Sequence, residues 1–300
     1  VSGLTALAAR LLAPGLLLLG LAGCGGSGLP VEPNPFTDPR PVTLVGYTGV
    51  AMEPALSPDG GTLLFNDSNA PGANTELHWA TRESDDLTFT YRGPIATANS
   101  NVLDGVPSLD LAGNLYFISL RAYSSTHRYT VHRGSFSAGV VTGVEEVPGL
   151  SSKDLGWVIF DAFISRDGSQ LWFAEGDYRS GSLGTASLGL AVRQVDGSFV
   201  RSSDTLFKAV NLDNAVQYAP AVSADGLELY VTRLTGTTGT TTTIYASRRP
   251  NTASPWGPAE PIAPLIGGVI EAAAPSADGR ALYFHRAIGA SYELARVTRR

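Results

Sequence analysis

Ser57-Pro58-Asp59-Gly60-Gly61-Thr62-Leu63-Leu64-Phe65 recurs along the chain as Ser165-Arg166-Asp167-Gly168-Ser169-Gln170-Leu171-Trp172-Phe173, as Ser223-Ala224-Asp225-Gly226-Leu227-Glu228-Leu229-Tyr230-Val231 and as Ser276-Ala277-Asp278-Gly279-Arg280-Ala281-Leu282-Tyr283-Phe284. A looser copy runs from Ser108 through Asp110 and Gly113 to Phe117. Each copy reads as strand, tight turn, strand. Asp-Gly is a turn pair because the Asp side chain bonds nearby backbone N–H groups and Gly accepts a positive φ. Beyond the turn, Leu63 and Phe65 share one strand face while Leu64 takes the other. The residue that faces the other way is Leu64, Tyr116, Trp172, Tyr230 or Tyr283, so these strands are apolar on both sides. An antiparallel sheet with one wet face would alternate apolar and polar. A strand buried on both faces belongs to a sheet stacked between two others, as in a propeller blade.

The copies end at residues 65, 117, 173, 231 and 284, in steps of 52, 56, 58 and 53. That is near the period of roughly 40–50 residues of propeller repeats, one four-stranded sheet each. The expected fold is all-β: a five-bladed propeller of four-stranded antiparallel blades. The alternative, six blades, would need another repeat, and the sequence holds none. The last blade ends with a third strand at Tyr292–Thr298, one strand short, while Val42–Tyr47 is a lone strand with no partner before it. Pairing the two would close the ring and remove its open edge. The third strand of blade two is expected at Arg128–Arg133 and the outer strand of blade three near Leu206–Val210. Thr235–Thr242, made up of Thr and Gly alone, reads as an exposed low-complexity hairpin.

The N-terminus is of another kind. Leu11–Ala22 is apolar behind Arg10, short for a membrane span and suited to the core of a signal peptide. Leu21-Ala22-Gly23-Cys24 follows, with the chain's one cysteine. It resembles the lipobox of bacterial lipoproteins, which implies cleavage before Cys24 and lipidation of that residue. The other reading is a plain secretory signal with an incidental cysteine. The expected organisation is therefore a signal peptide over 1–23, the lipidated Cys24 with a Gly-, Ser- and Pro-rich tether over 24–41, and the propeller over 42–300. The expected address is the bacterial envelope, anchored to a membrane through Cys24. Gly25 after the cysteine is compatible with sorting to an outer membrane, facing the periplasm or the cell surface.

A net charge of −6 and scattered Arg residues argue against a nucleic-acid partner, which calls for a basic face. A single cysteine removes internal disulfides and thiolate zinc sites. His78, His127, His132 and His285 show no metal-ligand spacing, no serine sits in a Gly-x-Ser-x-Gly elbow, and no phosphate loop joins a strand to a helix. No catalytic residue, metal or cofactor is expected, and the domain is expected to be a monomer.

The Ser-x-Asp-Gly-x-x-Leu-aromatic-Phe copies, with Pro54 and Pro220 three residues ahead of the Ser, resemble the PD40 (WD40-like) repeats of TolB-like β-propellers over about residues 42–300. The resemblance implies a periplasmic domain that binds a partner, protein or glycan. Such sites gather at inner-strand ends and loops. The candidates for the channel mouth are Glu53, Asp104, Asp161 and Glu271, with Asp213 and Gln217 in blade four and with Trp157 and Trp256 as loop aromatics. Two readings stand side by side. The acids form a ring that binds a ligand or does glycosidase-like acid–base work, or they are ordinary loop acids bonded to backbone N–H groups.

Overall fold

The computed structural model describes residues 36–300 apart from 71, 84 and 236–240. The expected signal peptide, Cys24 and most of the tether lie outside the described residues, as does the tip of the Thr-rich hairpin. The chain forms five sheets around an axis. The first holds β3 (Met52–Leu56), β4 (Thr62–Asn66), β5 (Leu77–Arg82) and β6 (Thr88–Pro94). The second holds β7 (Asp104–Leu109), β8 (Asn114–Ser119), β9 (Val131–Ser137) and β10 (Val140–Glu146). The third holds β11 (Trp157–Ile164), β12 (Gln170–Asp177), β13 (Ala186–Arg193) and β14 (Phe199–Arg201). The fourth holds β15 (Gln217–Val222), β16 (Glu228–Thr235), β17 (Thr241–Arg248) and β18 (Glu260–Ile266). The fifth holds β19 (Ile270–Pro275), β20 (Ala281–Ile288), β21 (Ser291–Thr298) and β1 (Arg40–Pro41).

The repeated turn explains its own sequence. Ser Oγ donates to the Asp carboxylate at 2.6 Å in the copies at Ser165, Ser223 and Ser276. The same Oγ accepts the N–H five residues on, and the carboxylate accepts the N–H two residues on. The Gly takes φ near +70° (Gly60 73°, Gly168 72°, Gly226 73°, Gly279 69°), where a side chain would be strained. In the looser copy Asp110 replaces the Ser and holds Asn114.

The two-sided strands pack as their sequence demands. There is one hydrophobic cluster per blade junction. Leu63 and Phe65 face blade five while Leu64 faces blade two. Leu171 and Phe173 face blade two while Trp172 faces blade four. Fully burying each such side chain contributes about 1.5–3 kcal/mol.

Three expectations need correction. The closing strand lies earlier than Val42–Tyr47: Arg40 and Pro41 pair with Arg296 and Ala295, Phe36 bridges Arg299, and the Val42 N–H reaches Leu294 O at 2.9 Å. Residues 36–41 thus belong to the ring. The following β2 (Thr43–Val45) runs parallel to β6 as a fifth strand of blade one. Pro41 lacks an N–H and suits an edge strand, and Val42, Leu44 and Tyr47 sink into the cluster between blades five and one. The outer strand of blade three is Phe199–Arg201. Asp204–Phe207 is a short 3-10 helix capped by Ser203, and Phe207 and Val210 pack inward as i, i+3 neighbours do on a helix. The third strand of blade two starts later than expected, at Val131.

Candidate functional site

The Asp-Gly turns all join strand one to strand two of a blade, so they share one face of the ring. The loops between strands two and three, and those between blades, share the other. The inner strands carry their acids toward this loop face. Counting back from the motif Ser, or from Asp110 in blade two, Glu53 and Asp161 hold the fourth position, Glu271 the fifth and Asp104 the sixth. Every inner strand is bulged there. In four blades the fourth-position residue is left-handed: Glu53 (φ 49°), Val106 (53°), Ala219 (50°) and Ala272 (58°). Each such backbone costs about 1–2 kcal/mol in a non-glycine residue.

What holds these bulges is a side chain from the blade before. The Glu53 N–H donates to His285 Nδ1 (3.2 Å), Val106 N–H to Asn66 Oδ1 (3.0 Å), Ala219 N–H to Asp161 Oδ2 (3.1 Å) and Ala272 N–H to Thr232 Oγ1 (3.1 Å). Asn66, Thr232 and His285 occupy one repeat position, directly after the motif's last residue. Blade three has Ala174 there, and Asp161 supplies the acceptor instead. Blade two has Ile118 there, and the residue it faces, Asp161, is not left-handed.

Three of the four predicted acids converge. Glu53 and Asp161 are 5% and 3% exposed. Oxygens of Glu53 and Glu271 and a nitrogen of His285 lie within 4.8 Å of one another. Glu53 Oε1 accepts from Asn69 (2.6 Å), and Glu271 accepts from the Tyr218 hydroxyl (2.6 Å) and faces His285 Nε2 (3.1 Å). Because His285 Nδ1 accepts the Glu53 N–H, its proton sits on Nε2 and is donated to Glu271.

These environments push the carboxyls apart. Burial raises Glu53, and the Glu271 charge adds to this, against His285 and Asn69. Burial and the Glu53 charge raise Asp161 well above the usual range. For Glu271 burial also raises, but the bonds from His285 and Tyr218 outweigh it and the pKa falls. Burial disfavours the His285 cation, yet Glu271 and Glu53 outweigh it and raise its pKa. A proton added at Nδ1 would displace the Glu53 N–H. The axial channel runs from the turn face to Glu53 and Asp161 between small residues such as Pro54, Ala162, Ala219 and Ala272, with about 790 Å³ of space counted out to solvent.

The remaining candidates lie elsewhere. Asp104 is fully buried and binds the Ser100 N–H (2.5 Å) and hydroxyl (2.6 Å) and Arg121 (2.8 Å). Gln217, at the same sixth position, holds the Leu212 N–H. Both brace the loop that enters their own blade. Asp213 lines a polar surface pocket with Asn211 and Asn214. Trp256 is 2% exposed, packed on Trp172 (5.7 Å) and under Arg249 (4.2 Å). It is core between blades three and four, because its backbone N–H bonds Leu206 O and draws the segment inward. Trp157 opens β11 half-buried, with Lys153 Nζ 3.5 Å from its ring centre. Sequence reasoning missed Tyr218, Asn69 and His285. The last had a signal: it is the one titratable side chain at its repeat position, held elsewhere by Asn66, Ile118, Ala174 and Thr232.

No protein-family model matches the chain, and no curated protein matches it in sequence. Among solved structures, a BT0996–RGII complex aligns over 89% of this chain and 92% of its own, with 11% identity and a TM-score of 0.61. Zg3597, a family 117 glycoside hydrolase of Zobellia galactanivorans, aligns over 89% and 91%, with 13% identity and a TM-score of 0.56. TolB from Acinetobacter baumannii aligns over 83% of this chain and 54% of its own, with 15% identity and a TM-score of 0.47. The propeller fold is thus shared with solved structures that include a glycoside hydrolase.

Proposed function

We propose that this chain is a lipid-anchored propeller of a bacterial envelope that binds a glycan or protein on its loop face and performs no chemistry. The observation that carries the reading is the occupancy of the axial acids. Glu53 and Asp161 are buried, and both Glu271 oxygens are taken by Tyr218 and His285. One oxygen each of Glu53 and Glu271 lies within 4.8 Å of the other, and Asn69 already holds a Glu53 oxygen. The loop connections instead expose apolar side chains, Leu155, Leu212 and Ile288, which suits a partner surface. The anchor rests on the apolar Leu11–Ala22 and Cys24. It predicts that Cys24→Ser releases the protein from the membrane fraction.

A second reading, a glycoside hydrolase-like enzyme, is favoured by one observation. Three converging carboxyls have pKa values pushed in opposite directions, the pattern of acid–base pairs. A polysaccharide panel separates the two. Retention of a glycan without new reducing ends, unchanged by Asp161→Asn, supports binding. Release of reducing ends that Asp161→Asn and Glu271→Gln abolish would replace it with catalysis.

A further inference from the structure

The molecule holds a second cluster of donor atoms, away from the axis. Asp67 leaves β4 and Glu76 precedes β5. They face each other across the base of one loop, with Asp67 N–H to Glu76 O (3.2 Å) and Glu76 N–H to Asp67 Oδ1 (2.8 Å). His78, on β5 opposite Phe65, turns its ring beneath them. It stacks on Phe65 (5.4 Å, 23°) beside Tyr47 and Tyr91 and is 6% exposed. One donor atom from each of Asp67, Glu76 and His78 lies within 4.8 Å of the other two.

The ring has one nitrogen engaged and one idle. His78 Nδ1 is 3.0 Å from the Tyr91 hydroxyl. Nε2 is buried with no hydrogen-bond partner. Its nearest acid, Asp67 Oδ2, is 3.6 Å away, too far for a hydrogen bond. An idle buried nitrogen of this kind costs about 1–3 kcal/mol. At the axis the opposite holds, since both nitrogens of His285 are occupied. If Nδ1–H donates to the Tyr91 oxygen, Nε2 presents a bare lone pair to the two carboxylates. Metal-bound histidines are oriented in this way, by an acceptor on the nitrogen that does not face the metal.

The geometry points to a divalent metal site formed by His78 Nε2, Asp67 and Glu76, with its remaining positions open to solvent. One imidazole and two carboxylates suit a first-row ion such as Zn²⁺, bound at about 2.0–2.2 Å, better than Ca²⁺, which takes six to eight oxygens. The three donors already lie within 4.8 Å of one another, with Asp67 and Glu76 half-buried at the loop base. The ion would also reach the axis. Asn69, in the loop between Asp67 and Glu76, is the residue that donates to Glu53, and it is steadied by Asn66. Pinning the loop base therefore fixes a group on an axial carboxyl. Asp67, Glu76 and His78 are spaced nine and two apart, a pattern only the hairpin between β4 and β5 turns into one cluster.

The test uses the full chain carrying Cys24→Ser, so that the thiol cannot compete, stripped with chelator. It is titrated with Zn²⁺ in a calorimeter and with Co²⁺ by visible absorption, while the imidazole ¹⁵N signals of the four histidines are followed. The expected result is one equivalent bound, with the His78 signals shifted. Affinity should fall roughly tenfold or more in Glu76→Gln and in Asp67→Asn and stay unchanged in His127→Gln. Zn²⁺ should raise the urea midpoint of the parent and not of Glu76→Gln, which also shows that the variant folds. No binding at millimolar Zn²⁺, equal affinity in the two carboxylate variants and the parent, or shifts at His127 instead of His78 would overturn the site.

Discussion

The turn aspartates and the axial acids are the same chemistry in opposite settings. Asp59, Asp167, Asp225 and Asp278 lie near the surface, and hydrogen bonds from a Ser hydroxyl and a backbone N–H hold them below the ordinary carboxyl pKa, against a smaller or offset penalty from burial. Glu53 and Asp161 lie at the axis, where burial raises them. The turn acids recur in four of the five blades and build the fold. The axial acids appear where the repeat is broken. In this ring, departures from the repeat mark the site better than the repeat itself does.

The largest effect that would sharpen this contrast comes from His285→Ala. It leaves the Glu53 N–H and one Glu271 oxygen without a partner in a buried setting and should cost about 3–5 kcal/mol in urea unfolding. A loss under about 1 kcal/mol would mean that the inter-blade amide bonds contribute little. A turn acid should matter less. Asp225→Ala removes bonds to Ser223 and Leu227, and solvent screening keeps the cost to about 1 kcal/mol. Asp161→Asn should show the opposite sign. Its amide oxygen still accepts the Ala219 N–H, while the buried charge and its repulsion with Glu53 disappear. The expected outcome at about pH 7 is no loss, or a gain of up to about 1 kcal/mol. A loss comparable to that of His285→Ala would show that the charge itself is needed.

The pH dependence separates the two groups by direction. A turn aspartate has a folded pKa below its unfolded value of about 3.9. Its stabilisation is present above that value and fades as pH falls through the folded pKa. Asp161 has a folded pKa above the unfolded one, so the native state holds its proton more tightly. That stabilisation is full below about pH 3.9 and fades as pH rises through the folded pKa. The stability difference between parent and Asp161→Asn should therefore grow with rising pH, and that between parent and Asp225→Asn should shrink toward acid.

Much of this is legible in the chain. Asp-Gly followed by Leu-aromatic-Phe fixes a turn and a two-faced strand by local chemistry, and five copies leave little choice of ring. Hydrophobicity points to Val42–Tyr47 as the closing strand, whereas the prolines at 39 and 41 mark the true edge strand. The spacing of Leu206, Phe207 and Val210 is helical, and Ser203-Asp204 ahead of it is a readable cap. Glu53, Asp161 and Glu271 stand out as inner-strand acids. Asp104 groups with them only while register goes uncounted: two residues from the shared position, it sits among different neighbours. The burial of Trp256 and the idle nitrogen of His78 are facts of packing, visible only once blades three and four, and the sheet of blade one, are assembled.

Carboxyl ¹³C chemical shifts followed through a pH titration test the central claim most directly. Glu53 and Asp161 should titrate above the ordinary range of their residue types, with Glu271 and the four turn aspartates below. Asp161 titrating alongside the turn aspartates would contradict it.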